Sequence, residues 1–410
     1  MALRQEWENR GLIYQFSDEK LFDLYSKQSF YVFDPSADSL QIGNMFAVMA
    51  AVHLMKYGNK CYFLVGATGM IDPSGKSEER NFLSEEQLRH NQDCIYSQLK
   101  TFLENIKKNY DINFEYEMVN NYDFLKMDYL KFLREVGKYI TINYMISKES
   151  VKKRVEDPEQ SITYAEMSYM LIQFDFLTLY SKYGTKLQLS DQWGNVTTGM
   201  DLISKKLGES AYCLTIPLIT DSNGTKYKSA GNAVWVDKKK NSPYFVYQFF
   251  LNSDDSLVER LLKVFSLKSL DEIDEIVKEH NEDPESRYQK ELAKWVVEVL
   301  FKKAVNEVEK ISQVLFGNEN KIEIIRFNNE EIIALKEAVG GTEINTDEFR
   351  ILDLCTQSGL TESNEAKKMI QSAIFCNEEK IEDIQKTFSK SDMINIFLLR
   401  KGKKVYKVIN

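Results

Sequence analysis

Unbroken apolar runs of strand length alternate with stretches of helical period through the first half of this chain, each closed by polar or Gly/Pro-containing residues. Residues 29–33 form one such run. A polar turn, Asp34-Pro35-Ser36-Ala37-Asp38, leads from it into a helical stretch over about 43–57. A second run, 61–65, opens into a loop, 66–77, that is rich in Gly and Pro. Strand, loop, helix and strand in this order predict a parallel α/β sheet. Runs at 114–119, 186–189 and 211–217 predict further strands, and 164–180 a strong helix. Residues 1–28 read as helical, on the spacing of Leu12, Phe16, Leu21 and Leu24.

After about Trp235 helical periodicity with charged faces dominates to about residue 315. The last segment, roughly 345–410, mixes a helix near 365–371 with short strand-like runs and contains no proline. From Lys386 onward, Lys386, Lys390, Arg400, Lys401, Lys403, Lys404 and Lys407 face only Asp392, which suits a solvated tail or contact with an RNA backbone.

Composition narrows the class. A hydrophobic share of 43% and a charged share of 28% belong to a soluble globular protein, and 410 residues predict two or three domains. The longest apolar run, 46–54, is interrupted by His53 and too short for a bilayer, and the first residues hold no apolar signal region. A cytoplasmic protein without membrane contact is expected. The net charge of −9 argues against a sequence-blind nucleic-acid binder but not against an enzyme whose basic groups are local. Cys61, Cys94, Cys213, Cys355 and Cys376 lie far apart with no CxxC pair, so buried free thiols are expected. Glycine is scarce, at 18 residues, well below the usual share of ~7%.

Five segments carry candidate chemistry. Tyr31 to Asn44 runs from a strand into a helix start, where backbone N–H groups favour phosphate; alone, it is also an ordinary capped helix. Gly66 to Arg80 contains Gly75-Lys76-Ser77, but a P-loop needs a glycine where Met70 stands, and is excluded. Lys76 and Arg80, four apart, suit a polyphosphate or a solvated helix start equally. Within the helix after Tyr164, Tyr169 and Gln173 fall on the face that should meet the sheet. Unpaired polar groups are costly there, and a ligand accounts for them. Ser190-Asp191-Gln192-Trp193-Gly194-Asn195 follows a strand, and the loop Gly224 to Asn232 carries Lys226 and Lys228.

Taken together and in this order, the five segments resemble the tyrosyl-tRNA synthetases, a family of class I aminoacyl-tRNA synthetases. Residues 31–44 resemble the family's strand and "HIGH" signature, Asp191 to Asn195 its tyrosine-pocket run, and 226–229 its "KMSKS" loop. Residues 361–381 look like an S4-type RNA-binding module. The resemblance covers nearly the whole chain and is weakest between 255 and 345. It implies a Rossmann-like parallel-sheet α/β catalytic domain over 1–235, an α-helical anticodon-binding-type domain over 236–340, and a small S4-like α+β domain over 341–410.

It also implies a mechanism. The carboxylate of L-tyrosine attacks the α-phosphate of Mg-ATP, pyrophosphate leaves, and the tyrosyl-adenylate passes its acyl group to the terminal ribose of tRNA-Tyr. ATP with Mg2+ is then a co-substrate, no structural metal is expected, and the protein is a homodimer. By resemblance Tyr31 and Asp175 bond the phenol, while Asp72, Tyr169 and Gln173 hold the ammonium with Gln192 nearby. Asp34, Ser36, Gly43 and Asp191 would contact ATP. Gln41 and Asn44 stand where the signature histidines meet phosphate, and Lys76, Arg80, Lys226, Lys228 and Ser229 would neutralise the triphosphate. Tyr31 and Asp175 argue for a phenol over the indole of the sibling tryptophanyl enzymes. Intact Lys76, Arg80, Asp191, Gln192 and Lys226 argue against an inert RNA-binding paralogue.

Two departures from the family pattern stand out. Gln41 replaces a histidine, keeping a donor but losing a group that titrates near neutrality. Single residues, normally glycine or small, are also missing after Val32, near Val65-Gly66, after Ile71 and Gln173, twice after Leu189, and after Tyr227. The stretches 364–365 and 372–373 look similarly shortened. At ~100° per residue, a residue at i+7 would share a face with Tyr169, whereas Asp175 at i+6 lies ~100° away. A bulge or kink near Phe174, or an Asp175 turned away from Tyr31, is therefore expected. The trace matches glycines lost in producing the sequence, as when a codon read as glycine is taken for a stop and deleted; the alternative is a divergent enzyme that bulges to compensate.

Overall fold

The computed structural model describes residues 3–24, 28–66, 83–157, 162–218, 220, 233–282, 288–302, 304–316, 327–362, 364–377, 379–392, 397–402 and 405–409. The chain divides into two units, one of Met1–Asp237 with Ser253–Trp295 and the other of Lys238–Asn252 with Val296–Asn410.

The first unit is built on a sheet of β1 (Gln15–Phe16), β2 (Gln28–Phe33), β3 (Lys60–Val65), β4 (Glu115–Asn120), β5 (Leu187–Ser190) and β6 (Tyr212–Thr215). Their order is β1-β6-β5-β2-β3-β4, with β1 antiparallel to β6 and the other pairs parallel. Residues 61–65 of β3 are all buried, as expected of a parallel strand covered on both faces. The chain leaves β2 toward β3 on one side and later returns to β5 on the other. The carboxyl ends of β2 and β5 thus flank a topological switch point, where open α/β sheets bind ligands.

The N-terminal segment is not one helix. Helix α1 (Leu3–Asn9) stops at Gly11, whose φ of 69° suits glycine, and Phe16 pairs with Leu214 at the sheet edge. Pairing with β6 overrides the helical spacing of Leu12 and Phe16. Helix α2 (Ile42–Met55) follows β2, and α3 (Glu85–Tyr110) follows β3.

The predicted helix at 164–180 is interrupted. An α-helical turn, α4 (Tyr164–Ser168), gives way to a 3-10 segment at Tyr169–Gln173 before α5 (Phe174–Tyr183) resumes. The irregularity expected near Phe174 is present. A 3-10 helix turns ~120° per residue against ~100° in an α-helix, so a few such residues recover on the order of the one-residue deficit of ~100°. Asp175 is thereby returned toward the sheet, and it is buried. The same winding separates Tyr169 from Gln173 by ~120°, so these two do not share the face that α-helical spacing predicts. Helix α6 (Trp193–Leu207) follows β5, and α7 (Asp255–Phe265) is the first long helix after 253 in this unit.

In the second unit, β7 (Gly341–Thr342), β9 (Ile374–Cys376), β10 (Glu379–Lys380), β12 (Phe397–Lys401) and β13 (Val405–Ile409) form a sheet in the order β10-β9-β12-β13-β7. A ribbon of β8 (Glu348–Arg350) and β11 (Thr387–Ser389) accompanies it. Phe349, Leu354, Ile370, Phe397 and Leu399 share its core. The helix expected near 365–371 is Ala366–Ala373, whereas Lys403 and Lys404 of the basic tail lie outside the described residues. Four cysteines are buried and Cys94 is partly exposed; all five are free thiols.

Candidate active site

Tyr31 lies in the middle of the sheet, level with Phe63 of β3 and Leu189 of β5, and is 3% exposed. Burial, then the charges of Asp191 and Asp34, push its hydroxyl well above the usual range. Asp34 follows β2, and Asp191 follows β5, so the switch point brings both carboxylates to one place. The Tyr169 hydroxyl donates to Oδ2 of Asp34 at 3.5 Å.

Asp175 is 4% exposed. The Asn121 amide donates to its Oδ2 at 2.7 Å, while Oδ1 is buried with no hydrogen-bond partner among the described residues. Burial pushes the carboxyl up to about 7; Asn121 opposes this and the charge of Asp34 adds to it. A buried carboxylate oxygen left unpaired costs ~1–3 kcal/mol or more, which a ligand that donates a hydrogen bond would recover. A buried phenol and the carboxylates of Asp34, Asp175 and Asp191 suit a ligand with a donating hydroxyl and a cationic amine.

The start of α2 forms a second part. The backbone N–H of Gln41 donates to Oδ1 of Asn44 at 3.0 Å, which leaves the Asn44 amide nitrogen as its donor toward a ligand. Gln41 pairs with Trp235, and Ile42 N–H donates to the Val234 carbonyl at 2.9 Å. Gly43 lies in the first turn, and Ser36 is exposed in the preceding turn.

Two further expected residues bond to neighbouring side chains. The Gln173 side chain accepts from Gln188 of β5 at 3.4 Å. Gln192 is exposed, and its oxygen accepts from Asn195 at 2.8 Å. Asp72, Lys76, Arg80, Lys226, Lys228 and Ser229 lie outside the described residues. Among the described residues no group of three or more His, Cys, Asp or Glu side chains is placed to hold a metal ion. A groove of about 580 Å³ lined by Gln28, Asn59, Lys60 and Glu115 opens at the amino ends of the strands, the edge away from this chemistry.

Other polar residues of the site escape the motif patterns. Asn121 sits just past β4 and holds Asp175. On α3, Asn91 donates to the Pro35 carbonyl at 2.9 Å and Gln98 accepts from Leu40 N–H at 2.9 Å, supporting the turn between β2 and α2. Gln92 donates to the Gly66 carbonyl at 3.1 Å. The available signal was Asn91 and Gln92 on the helix face of Leu88, Ile95 and Leu99, where an apolar residue is the rule.

Comparison with known proteins points in one direction. Residues 27–317 match a family described as tRNA synthetases class I (W and Y), and residues 331–409 match a tyrosine--tRNA ligase SYY-like C-terminal domain. A tyrosine--tRNA ligase of Bacteroides fragilis (strain YCH46) is 40% identical, covering 100% of this chain and 99% of that protein. Tyrosine--tRNA ligase 1 of Streptococcus thermophilus (strain CNRZ 1066) is 41% identical, covering 98% of each. The crystal structure of a C-terminally truncated mitochondrial tyrosyl-tRNA synthetase from Aspergillus nidulans is similar with a TM-score of 0.69 and 28% identity, covering 77% of this chain and 94% of that one. The Bacteroides alignment spans 430 positions against the 410 residues of this chain, so about twenty positions have no counterpart here.

Proposed function

The chain belongs to the class I tRNA synthetases of the W and Y family, and from that premise we propose that it is a tyrosine–tRNA ligase. It activates L-tyrosine with ATP to tyrosyl-adenylate and pyrophosphate, then transfers tyrosine to the 3′-terminal ribose of tRNA-Tyr. The observation that carries the choice of tyrosine is Asp175, whose buried Oδ1 has no partner among the described residues, in a site that also holds the buried Tyr31. A phenol donates to Asp175 and accepts from the Tyr31 hydroxyl. An indole N–H only donates, and would leave Tyr31 unmatched.

In the first step a carboxylate oxygen of tyrosine bonds to the α-phosphorus as the bond to pyrophosphate breaks. In the second, a ribose hydroxyl attacks the acyl carbon and AMP leaves. No protein nucleophile is required, so catalysis comes from position and charge. Asp34 and Tyr169, with Asp72, Gln173 and Gln192, meet the ammonium side of the substrate. Asp191 holds the ATP ribose, and Ser36 and Gly43 border the nucleotide. Gln41, Asn44, Lys76, Arg80, Lys226, Lys228 and Ser229 stabilise charge on the phosphates. Magnesium enters as part of the substrate, Mg-ATP.

Residues 236–340 supply an anticodon-binding-type helical region, and 341–410 an S4-like RNA-binding module whose basic residues meet the tRNA backbone. The protein acts as a cytoplasmic homodimer. Support for the dimer comes from Tyr129, Leu130, Ile142 and Tyr164, large hydrophobic side chains that are exposed in the single chain. No described helix is long and apolar enough to cross a membrane. Tyrosine-dependent ATP–pyrophosphate exchange tests the assignment. Exchange with tryptophan instead would move the chain to the sibling specificity, and no exchange with intact tRNA binding would favour an inert paralogue.

A further inference from the structure

Residues 34–40, which deliver Gln41 to the start of α2, belong to no helix or strand. Buried main-chain groups still need partners, and here they find them on two sides. On one side runs the stretch 234–237. Val236 N–H donates to the Leu40 carbonyl at 3.0 Å, Asp237 N–H donates to Ser39 Oγ at 3.3 Å, and the Val234 carbonyl accepts from Ile42 N–H at 2.9 Å. On the other side lies α3. Its Asn91 donates to the Pro35 carbonyl at 2.9 Å, and its Gln98 uses both ends of one amide. Oε1 of Gln98 accepts from Leu40 N–H at 2.9 Å, and Nε2 donates to the Asp38 carbonyl at 3.3 Å. Gln98 thus treats the peptides on either side of Ser39 as a neighbouring β-strand would, taking one carbonyl and one N–H. Ser39 Oγ adds a longer bond to the same Oε1, at 3.4 Å.

Helix periodicity allows this. Asn91 and Gln98 lie seven residues apart, so they share one face of α3 to within ~20° and stand ~10 Å apart along its axis. One meets the beginning of the turn and the other its end. Beyond Leu40 the backbone stays fixed. Gln41 N–H donates to Asn44 Oδ1 at 3.0 Å, and the Gln41 carbonyl accepts from Asn44 N–H at 2.8 Å. The N–H groups of Leu40, Gln41 and Ile42 therefore all have acceptors. Val234 supplies main chain, and Asn44 is itself assigned to phosphate; Gln98 is the one of the three that acts by its side chain from outside the site.

We propose that Gln98 is a positioning residue for adenylate formation, fixing the peptides around Ser39 so that Gln41 enters the phosphate site in register. The proposal rests on the role given above to Gln41. The amino-acid side is held by other means, Tyr31 within β2 and Asp175 by Asn121. A misplaced phosphate donor lowers turnover and leaves that side intact.

Tyrosine-dependent pyrophosphate exchange by the full chain tests it, with Gln98→Met, Gln41→Ala and the Gln98→Met/Gln41→Ala pair, each at a temperature where its circular dichroism is that of the folded protein. Gln98→Met keeps the side chain's length and removes both bonds. It should lose about tenfold in kcat, with the tyrosine KM unchanged, and the double variant should be about as slow as Gln41→Ala alone. Wild-type kcat in Gln98→Met overturns the proposal, as does a loss that multiplies in full with that of Gln41→Ala or one matched by a rise in the tyrosine KM. If Gln41→Ala exchanges at the wild-type rate, the role of Gln41 fails and the proposal with it, while tyrosine-dependent exchange by the parent chain leaves the tyrosine assignment standing.

Discussion

Asn121 donates to Asp175 across 2.7 Å in a place where neither side chain reaches solvent. The bond fixes which carboxylate oxygen is spoken for and leaves the other for substrate. Asn121→Ala should therefore weaken tyrosine more than phenylalanine, because only the phenol needs an oriented carboxylate. A hydrogen bond to a charged group is worth ~1.5–3 kcal/mol, so kcat/KM for tyrosine should fall ~10–200-fold. Exchange kinetics with both amino acids measure this; equal losses for the two would show that Asn121 plays no part in specificity.

The raised pKa of Asp175 has a pH signature. Its carboxyl titrates at about 7 in the folded chain, against 3.8 as the ordinary value. A phenol donates best to the ionised form, so the tyrosine KM should fall as pH rises through 7. Asp175→Asn should bind tyrosine poorly and without that dependence. Stability moves the other way: the unfolded carboxyl ionises first, so folding loses on the order of 4 kcal/mol as pH rises from about 4 to 7. Acid-to-neutral melting curves of the two proteins should diverge in that window. Parallel curves would count against a buried, reluctant acid.

Much of the site was legible before any coordinates, and the reasons are local. Tyr31 lies within β2, and Asp34 and Asp191 follow strands that their own apolar runs define, so their convergence follows from strand order. Asn121 was not legible, because a polar residue after a strand is ordinary until the opposite wall is known. Along 164–180 a single helical pitch does not describe the segment: the 3-10 turn at Tyr169–Gln173 separates Tyr169 from Gln173, and Asp175 is buried. At the N-terminus, Phe16 followed its pairing with Leu214 and not its helical spacing.

The 3-10 turn at Tyr169–Gln173 ends where the family pattern has one residue more than this chain. A glycine inserted after Gln173 should let the segment wind as a regular α-helix and keep Asp175 in place, with activity equal to or above that of the present chain. About twenty positions of the Bacteroides alignment lack a counterpart here, and glycine numbers only 18. The protein from its own cells should therefore weigh more than 47.8 kDa by a whole number of glycine residues, read from its intact mass. A mass equal to that of the present sequence, with contiguous codons across Gln173-Phe174, would leave the 3-10 turn as a natural adaptation.

Gln41 should act only as charge develops. On the proposed role its amide would donate to phosphate and stay neutral, so Gln41→Ala should cost ~2.7–4 kcal/mol in the activation step if it resembles an oxyanion-hole donor. Tyrosine affinity should change far less. Gln41→His should be tolerated and introduce a pH dependence between ~5 and ~8 that the parent lacks. An unchanged activation rate in Gln41→Ala, with weakened tyrosine binding, would remove Gln41 from the phosphate site.

The most direct measurement is ATP–pyrophosphate exchange with tyrosine, phenylalanine and tryptophan offered separately to the full chain and to Asp175→Ala. Exchange should depend on tyrosine, be far weaker with the other two, and collapse in the variant while ATP still binds. Exchange driven as well by tryptophan or phenylalanine, or undiminished in Asp175→Ala, would contradict a tyrosine site built around Asp175 and Tyr31.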